Sequence, residues 1–408
     1  MPRLLLMLPT RTYRTPALLA AAARCGVELT VASEEGSSVA HLNPAGFLTL
    51  PFSSPDACAG PALAFHDEYP VDAVIGIDDT VVEAAAVVAR ELGLPHNDPE
   101  AVAVARDKRR ARERLAAADV PCPGFDWRRF EDPERARPPV FGFPAVIKPL
   151  SLSASRGVIR VDDHPGMVEA VGRLESIVDD ESGSLIEEGF LVESFVSGPE
   201  VAIEGLLRDG QLQVLAVFDK PDPLEGPYFE ETIYLTPSRL PAECQRALLE
   251  SSRAACTALG LTEGAVHAEL RITESGPVVI EVNPRAIGGL CSDVMRFGTG
   301  LRLEDILLHH ALGDRAPLPD RVESAAGVLM LPVKSGGALL RVDGVAAAEA
   351  VAGVERVAIT AHPGQQLSPW PEGGPYPGFV FARGETADEV ERALHTADQE
   401  LTLVFEGG

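Results

Sequence analysis

The residues with the clearest chemical potential lie in one stretch, residues 264–289. Val266, Ala268, Leu270 and Ile272 alternate with His267, Glu269, Arg271 and Thr273, the period-two pattern of a half-buried strand. Thr273-Glu274-Ser275-Gly276-Pro277 reads as a turn. A second strand follows over 278–283, with Glu281 and Asn283 two residues apart and so on one face. A turn centred on Ser275 puts Glu269 opposite Glu281 and His267 opposite Asn283. Two carboxylates directly across a ladder repel each other. A cation between them removes the conflict. Mg²⁺ takes a few hard oxygen ligands and completes its shell with phosphate and water. Glu269, Glu281 and Asn283 are therefore candidate metal ligands, and Arg285 is near enough in sequence to reach the same place.

Three further segments fit phosphate chemistry. A strand over 143–148 ends at Lys148 and stops at Pro149. The loop after it offers the hydroxyls of Ser151, Ser153 and Ser155 and one glycine, Gly157. Such a loop beside a lysine suits phosphate oxygens, and a surface hairpin fits the pattern equally well. Next, an apolar strand carries Glu193 and runs through Ser194, Phe195 and Val196 to a Gly-Pro break and Glu200. Its backbone suits the edge of an adenine, and Glu200 suits ribose hydroxyls. Arg106-Asp107-Lys108 opens a charged helix over 106–120, where a solvated face is the plain reading. Only four of the 35 basic residues are lysines: Lys108, Lys148, Lys220 and Lys334. An ammonium acts on phosphate as a compact point charge, which a guanidinium does not imitate.

The elements that must position these groups begin with alternating strand and helix patterns over 1–105. Strands are expected at 4–8, 27–32 and 71–77, and helices at 16–25 and 80–92. This βαβ order implies a parallel sheet. No G-x-G-x-x-G follows the first strand, which argues against a dinucleotide fingerprint. Thr10–Thr15 stands where open α/β sheets bind ligands. Later expectations are a helix over 241–260, a hairpin over 262–285, a linker at Pro317–Pro319 and a helix from Ala387 to about Leu401. The net charge of −26 disfavours nucleic acid and anionic membranes as partners. Six scattered cysteines without a C-x-x-C pair point to free thiols and a reducing, cytoplasmic compartment. The apolar run after Met1 is too short for a secretory signal, and no stretch reaches membrane-spanning length. His309-His310 reads as a helix end rather than a metal site.

Taken in order, these segments resemble the ATP-grasp superfamily. The resemblance implies an α/β fold with a pre-ATP domain at 1–105 and a small lid subdomain with its linker helix at 106–190. A large subdomain at 191–318 and a C-terminal domain at 319–408 complete it. It makes Lys108 and Lys148 the ATP lysines, and Ser151–Val158 the phosphate-covering loop. Glu193–Val196 becomes the adenine hinge and Glu200 the ribose acceptor. Glu269, Glu281 and Asn283 become ligands of one or two Mg²⁺ ions, with Mn²⁺ as a substitute. Arg285 becomes the arginine that steadies an acyl phosphate, with Lys148 its catalytic companion. Residues 280–289, 219–234 and 371–384 look like the L-amino-acid ligase branch, which joins amino acids into dipeptides. That branch implies ATP, an acid and an amine as small-molecule substrates, with amino acids first among them. It also implies a homodimer, and Arg285, Gly288 and Gly289 become candidate substrate residues. Lys220, Glu230 and Glu231 are further candidates because they interrupt a stretch rich in proline and aromatics, where a surface loop fits equally well. A carboxylase or purine-pathway ligase of the same superfamily shares the chemistry. A non-catalytic nucleotide-binding protein is the alternative from another class.

Overall fold

The computed structural model describes residues 1–10, 12–182, 185–297, 300–314 and 324–407. Its first unit is an open parallel sheet with helices between the strands. The elements are β1 (Arg3–Met7), α1 (Thr15–Cys25), β2 (Glu28–Ser33), β3 (Phe47–Thr49), α2 (Ala59–Glu68), β4 (Ala73–Gly76) and α3 (Val82–Glu91). The strand order is β3-β2-β1-β4. Because β1 lies between β2 and β4, the winding direction reverses there. The carboxyl ends of β1 and β4 then open on one crevice. The three-residue edge strand β3 was not expected, being too short to show a period.

The charged helix expected over 106–120 is α5 (Lys108–Ala117), which starts two residues later than expected, and a separate helix, α4 (Pro99–Arg106), precedes it. Asp107 separates them. Its backbone is extended, and its carboxylate accepts from the N–H groups of Arg109 and Arg110, capping α5. Lys108 is thus the first residue of a new helix rather than part of a solvated face.

A second, antiparallel sheet has the order β5-β8-β6-β7. It comprises β5 (Phe125–Arg128), β6 (Ala145–Pro149), β7 (Ile159–Val161) and β8 (Phe190–Ser194), with α6 (His164–Glu181) and the short α7 (Leu185–Glu188) between the last two. Met167, Val171, Leu174 and Val178 form the buried face of α6 against it. The boundary expected between 190 and 191 passes through β8, which pairs with both β5 and β6.

The remaining elements are β9 (Glu200–Arg208), β10 (Gln211–Lys220), β11 (Ile233–Thr236), α8 (Ala242–Leu259), β12 (Gly264–Thr273) and β13 (Gly276–Asn283). The short pair β14 (Arg296–Phe297) and β15 (Leu301–Arg302) leads to α9 (Leu303–Ala311). Then come β16 (Ala325–Met330), β17 (Gly337–Asp343), α10 (Val345–Glu349), β18 (Val354–Ile359), β19 (Gln366–Leu367), β20 (Gly378–Gly384), α11 (Ala387–Glu400) and β21 (Thr402–Phe405). Eight strands make one antiparallel sheet in the order β13-β12-β9-β10-β11-β16-β20-β18. Of the C-terminal strands, β16, β18 and β20 therefore extend the central sheet, while β17, β19 and β21 form a separate three-stranded sheet in the order β19-β17-β21. The 318/319 boundary and the linker at 317–319 lie outside the described residues. Helices α5 and α8 bury Leu115, Leu248 and Leu259 against Ile203 and Leu270 on one face of the sheet. Helix α9 buries Ile306 and Leu307 with Phe218 and Phe379 on the other. His309 and His310 close α9, as expected. All six cysteines are free. Among the described residues, no helix is long and apolar enough to cross a membrane.

Candidate active site

The β12–β13 hairpin has the register expected from its turn. Glu269 pairs with Glu281 and His267 with Asn283, with a bulge after Glu269. Two lysines relieve the repulsion of the facing carboxylates. Lys108 Nζ lies 3.2 Å from Glu281 and donates to the Leu152 carbonyl at 2.8 Å. Lys220 Nζ lies 3.4 Å from Glu269 and 2.8 Å from Glu200, and also holds Glu231. His267 is buried between Glu204 (Nδ1, 2.5 Å) and Glu269 (Nε2, 3.2 Å). Burial opposes its charge, but the two carboxylates outweigh burial and push its pKa up to about 9. Burial likewise opposes the Glu269 charge, yet Lys220 and His267 hold that carboxyl well below the usual range. Glu269, Glu281 and Asn283 all line one cavity. Two carboxylates and an amide oxygen there suit a hard divalent cation. Glu200, Glu231 and Glu269 also converge within 4.8 Å of one another. The Lys220 ammonium already serves as the cation of that group.

This cavity, about 1320 Å³ of space open to solvent, adjoins a cleft of about 720 Å³ between the lid sheet and the central sheet. Lys108, Ser153, Ser155, Glu269 and Glu281 line both. Lys148 and residues 193–196 line the cleft. The Glu193 side chain is buried and grips two cations: Arg112 Nε at 2.7 Å and Lys148 Nζ at 2.6 Å. Burial alone would raise its pKa, but these partners lower it. The backbone edge expected to read adenine is partly committed already. Ser194 N–H donates to the Gly124 carbonyl and Phe195 N–H to that of Pro144, while the Val196 carbonyl accepts from Arg271. Phe195 forms a wall of the cleft, with the guanidinium carbon of Arg160 4.3 Å from its ring centre. Glu200 lines the cleft with its two oxygens held by Lys220 and Arg271, each at 2.8 Å.

Ser151, Ser153 and Ser155 line the larger cavity, and the Ser151 hydroxyl donates to Glu188. Ala154 and Ser155 hold left-handed backbone angles, φ 54° and 56°, unusual without glycine. Gly157 does not line either space. Its φ is +69°, a Cβ there would stand 2.7 Å from Leu174, and its N–H donates to the Pro371 carbonyl. The indole N–H of Trp370 donates to the Ala154 carbonyl. The chain just before β20 therefore grips this loop, a contact no local pattern announced.

At the far end of the cavity, Arg285 makes a two-pronged pair with Asp79 at 2.6 and 2.7 Å. This joins the end of β13 to the crevice beyond β4. Burial disfavours the guanidinium charge, and Asp79 more than restores it. Gly288, Gly289, Tyr13, Tyr234, Cys291, Met330 and Tyr376 complete the walls. A Cβ on Gly289 (φ +60°) would meet the Phe379 ring at 3.0 Å.

Three expected substrate residues divide. Glu231 faces the cavity. Glu230, its neighbour in an extended segment, turns away and accepts from the Val333 N–H at 3.0 Å. Lys220 is an internal counter-ion among three carboxylates rather than a surface contact. Lys334 pairs with Asp398 at 3.5 Å and lines a separate pocket near β21. Sequence reasoning missed Arg112, Asp79 and Trp370, each of which acts across distant segments, and it singled out the Thr10–Thr15 segment without naming Arg14 within it.

Three family models match successive parts of the chain. An ATP-grasp N-terminal domain matches residues 19–96, an ATP-grasp domain 141–294, and L-amino acid ligase C-terminal domain 2 residues 329–406. The structure resembles an L-amino acid ligase from Bacillus licheniformis with a TM-score of 0.80 and 26% identity, over 100% of this chain and 99% of that one. Carnosine synthase 1 of Gallus gallus is 33% identical over 301 residues, 66% of this chain and 30% of that protein. Alanine–anticapsin ligase of Bacillus subtilis (strain 168) is 27% identical over 266 residues, 61% of this chain and 56% of that protein. The match thus spans under a third of the carnosine synthase and just over half of the alanine–anticapsin ligase.

Proposed function

The chain belongs to the ATP-grasp superfamily, and we propose that it is a Mg-ATP-dependent carboxylate–amine ligase. On this reading it joins amino acids through an acyl phosphate. The observation that carries it is the placing of Glu269, Glu281 and Asn283 against Arg285 in one cavity that adjoins the Lys148 cleft. The L-amino acid ligase match over 329–406 supports amino acids over bicarbonate as substrates.

Mg²⁺ held by Glu269, Glu281 and Asn283 would neutralise phosphate charge, which is most of what phosphoryl transfer requires. Lys108 and Lys148 act on the remaining phosphate oxygens. Glu193 and Arg112 fix where Lys148 points. The substrate carboxylate attacks the γ-phosphorus, a new O–P bond forms, and ADP departs with the old bonding pair. Arg285 receives the acyl phosphate. The amine of the second substrate then attacks the acyl carbon. The C–N bond forms as the C–O bond to phosphate breaks, phosphate leaves with that pair, and the surplus amine proton passes to phosphate or solvent. The Arg285 guanidinium steadies the developing oxyanion. The loop over 151–157, held from outside by Trp370 and Pro371, screens the acyl phosphate from water.

The test is Mg-ATP turnover against all pairs of amino acids, with mass spectrometry of the products. ADP, phosphate and a new amide are expected, and Arg285→Ala should lower amide formation about 100-fold or more. AMP and pyrophosphate would replace the acyl-phosphate route with adenylation. Turnover with bicarbonate but with no amino acid would favour the carboxylase reading.

A further inference from the structure

Arg14 is a buried charged side chain that the mechanism above leaves without a task. It is 4% exposed, and among the described residues its Nε and Nη2 meet no hydrogen-bond partner. Its Nη1 reaches the Ile77 carbonyl only at 3.4 Å. The Glu304 carboxylate stands 4.0 Å from Nη2, beyond hydrogen-bond range. A guanidinium offers five donors in a fixed fork and cannot readily shed its charge. Burying such donors unpaired is costly, so the position calls for an acceptor with two oxygens. Burial pulls the Arg14 pKa down, while Glu304 and Glu204 sustain its charge from a distance.

The location has its own logic. Arg14 stands at the N-terminal end of α1, just beyond β1, and Ile77–Asp79 follows β4. This is the point where winding about β1 reverses, the usual ligand crevice of an open parallel sheet. Arg14 lines the larger cavity together with Arg285, Tyr13 and Gly288. The two guanidiniums are close enough for each charge to bear on the other.

The geometry points to Arg14 as the receiver of the carboxylate of the amine substrate, making that substrate an amino acid rather than a simple amine. The inference rests on the ligase reading. Arg285 sits with the metal-ligand carboxylates and takes the acyl phosphate. A carboxylate seated on Arg14 brings the amino group one or two carbons away into the same cavity, from the side of the parallel sheet. The product is then a peptide that keeps a free carboxylate at Arg14.

The experiment compares two products of the same acyl donors, each of the twenty amino acids supplied with Mg-ATP. One is the peptide, with amino acids as acceptors. The other is the hydroxamate, with hydroxylamine, which has no carboxylate. In Arg14→Gln the peptide-to-hydroxamate ratio should fall about 30-fold or more, the worth of a charge-assisted pair, through KM for the acceptor. Amino acid amides should be poor acceptors for the wild type and should lose that disadvantage in the variant. Arg14→Lys keeps the charge and should recover part of the ratio. An unchanged ratio, or loss of both products together in folded Arg14→Gln and Arg14→Lys, would make Arg14 a structural ion and overturn the assignment. Absence of both peptide and hydroxamate from the wild type would sink the ligase reading, and this one with it.

Discussion

Replacing Glu193 with Gln keeps the shape of the side chain and removes its charge from between two buried cations. Arg112 and Lys148 lie 2.7 and 2.6 Å from its two oxygens, and all three side chains are less than 10% exposed. Breaking a buried pair by removing one partner costs about 3–5 kcal/mol, since the other charge stays behind. Two features favour the lower end. Arg112 keeps its bond to the Ile280 carbonyl at 2.5 Å. Lys148 can release its proton, because burial already lowers its pKa and Glu193 is the main opposing influence. A loss of about 3 kcal/mol is therefore expected. Urea unfolding reads it, with two well-placed reporters: Trp127 in β5 and Trp370 against the 151–157 loop. A non-hydrolysable ATP analogue should narrow the deficit, because its phosphates supply the missing negative charge. In a double-mutant cycle with Lys148→Met, the coupling should exceed about 1 kcal/mol. A Glu193→Gln protein within about 0.5 kcal/mol of the wild type, or strict additivity in the cycle, would refute the reasoning.

Asp79→Asn frees Arg285 from its two-pronged partner, so amide formation should fall about 10- to 100-fold in kcat with KM for ATP little changed. A rise in KM for ATP at normal kcat would show that the pair serves nucleotide binding instead. Glu269→Gln and Glu281→Gln should each raise the Mg²⁺ concentration needed for ATP turnover about 10- to 100-fold. Mg²⁺ titrations that superimpose on the wild type would remove these residues from the metal site. Glu230 has its pKa pushed up by burial from 4.5 to about 7. Between those values the folded chain holds a proton that the unfolded chain releases, so stability falls as pH rises through that window. After discounting for partial exposure, Glu230→Gln should gain about 1–2 kcal/mol at pH 8 and nothing below pH 4.5 or so. A gain that does not vary with pH would contradict the assignment.

The hairpin that carries the candidate metal ligands was legible because its constraints are local. Period-two alternation sets the faces of β12 and β13, and one turn sets the register, so Glu269 had to meet Glu281. The parallel sheet of the first unit was legible for a related reason, since alternating β and α patterns admit few arrangements, whereas the rest of the fold class came from the resemblance. What escaped was long-range. Lys220 looked like a loop residue, yet it ends β10 among carboxylates drawn from β9, β12 and residue 231. Glu193 looked like part of a nucleotide edge, yet its side chain answers to Arg112 on α5, 81 residues away in the chain. The sharing of one sheet by β11, β16 and β20 depends on pairings such as Ile233 with Leu329 and Ala325 with Gly384, far apart in the chain, which no local period encodes. Asp107 was a different failure. An Asp ahead of a charged run is an ordinary N-cap, and the helix break lay in plain sight.

The economy of lysine has a physical reading once the pairs are known. The chain carries 61 acidic residues against 35 basic ones, so a site for polyphosphate must gather cations against the overall field. Three of the four lysines lie at the candidate site, and each is matched to acidic side chains: Lys108 to Glu281, Lys148 to Glu193, Lys220 to Glu200, Glu231 and Glu269. Burial makes such matching obligatory, because an unpaired charge is expensive inside a protein. The pairs differ in what they allow. Lys148 and Lys220 are nearly sealed, so their carboxylates act as fixed supports. Lys108 and Glu281 are the more open pair, at 15% and 30% side-chain exposure. It also joins a proposed phosphate contact to a proposed metal ligand. A ligand that brings only an anion would satisfy Lys108 at the expense of Glu281, and a bare cation would do the reverse. Mg-ATP carries both charges and can satisfy both halves of the pair at once, which is the electrostatic reason this site suits the complex better than either component alone.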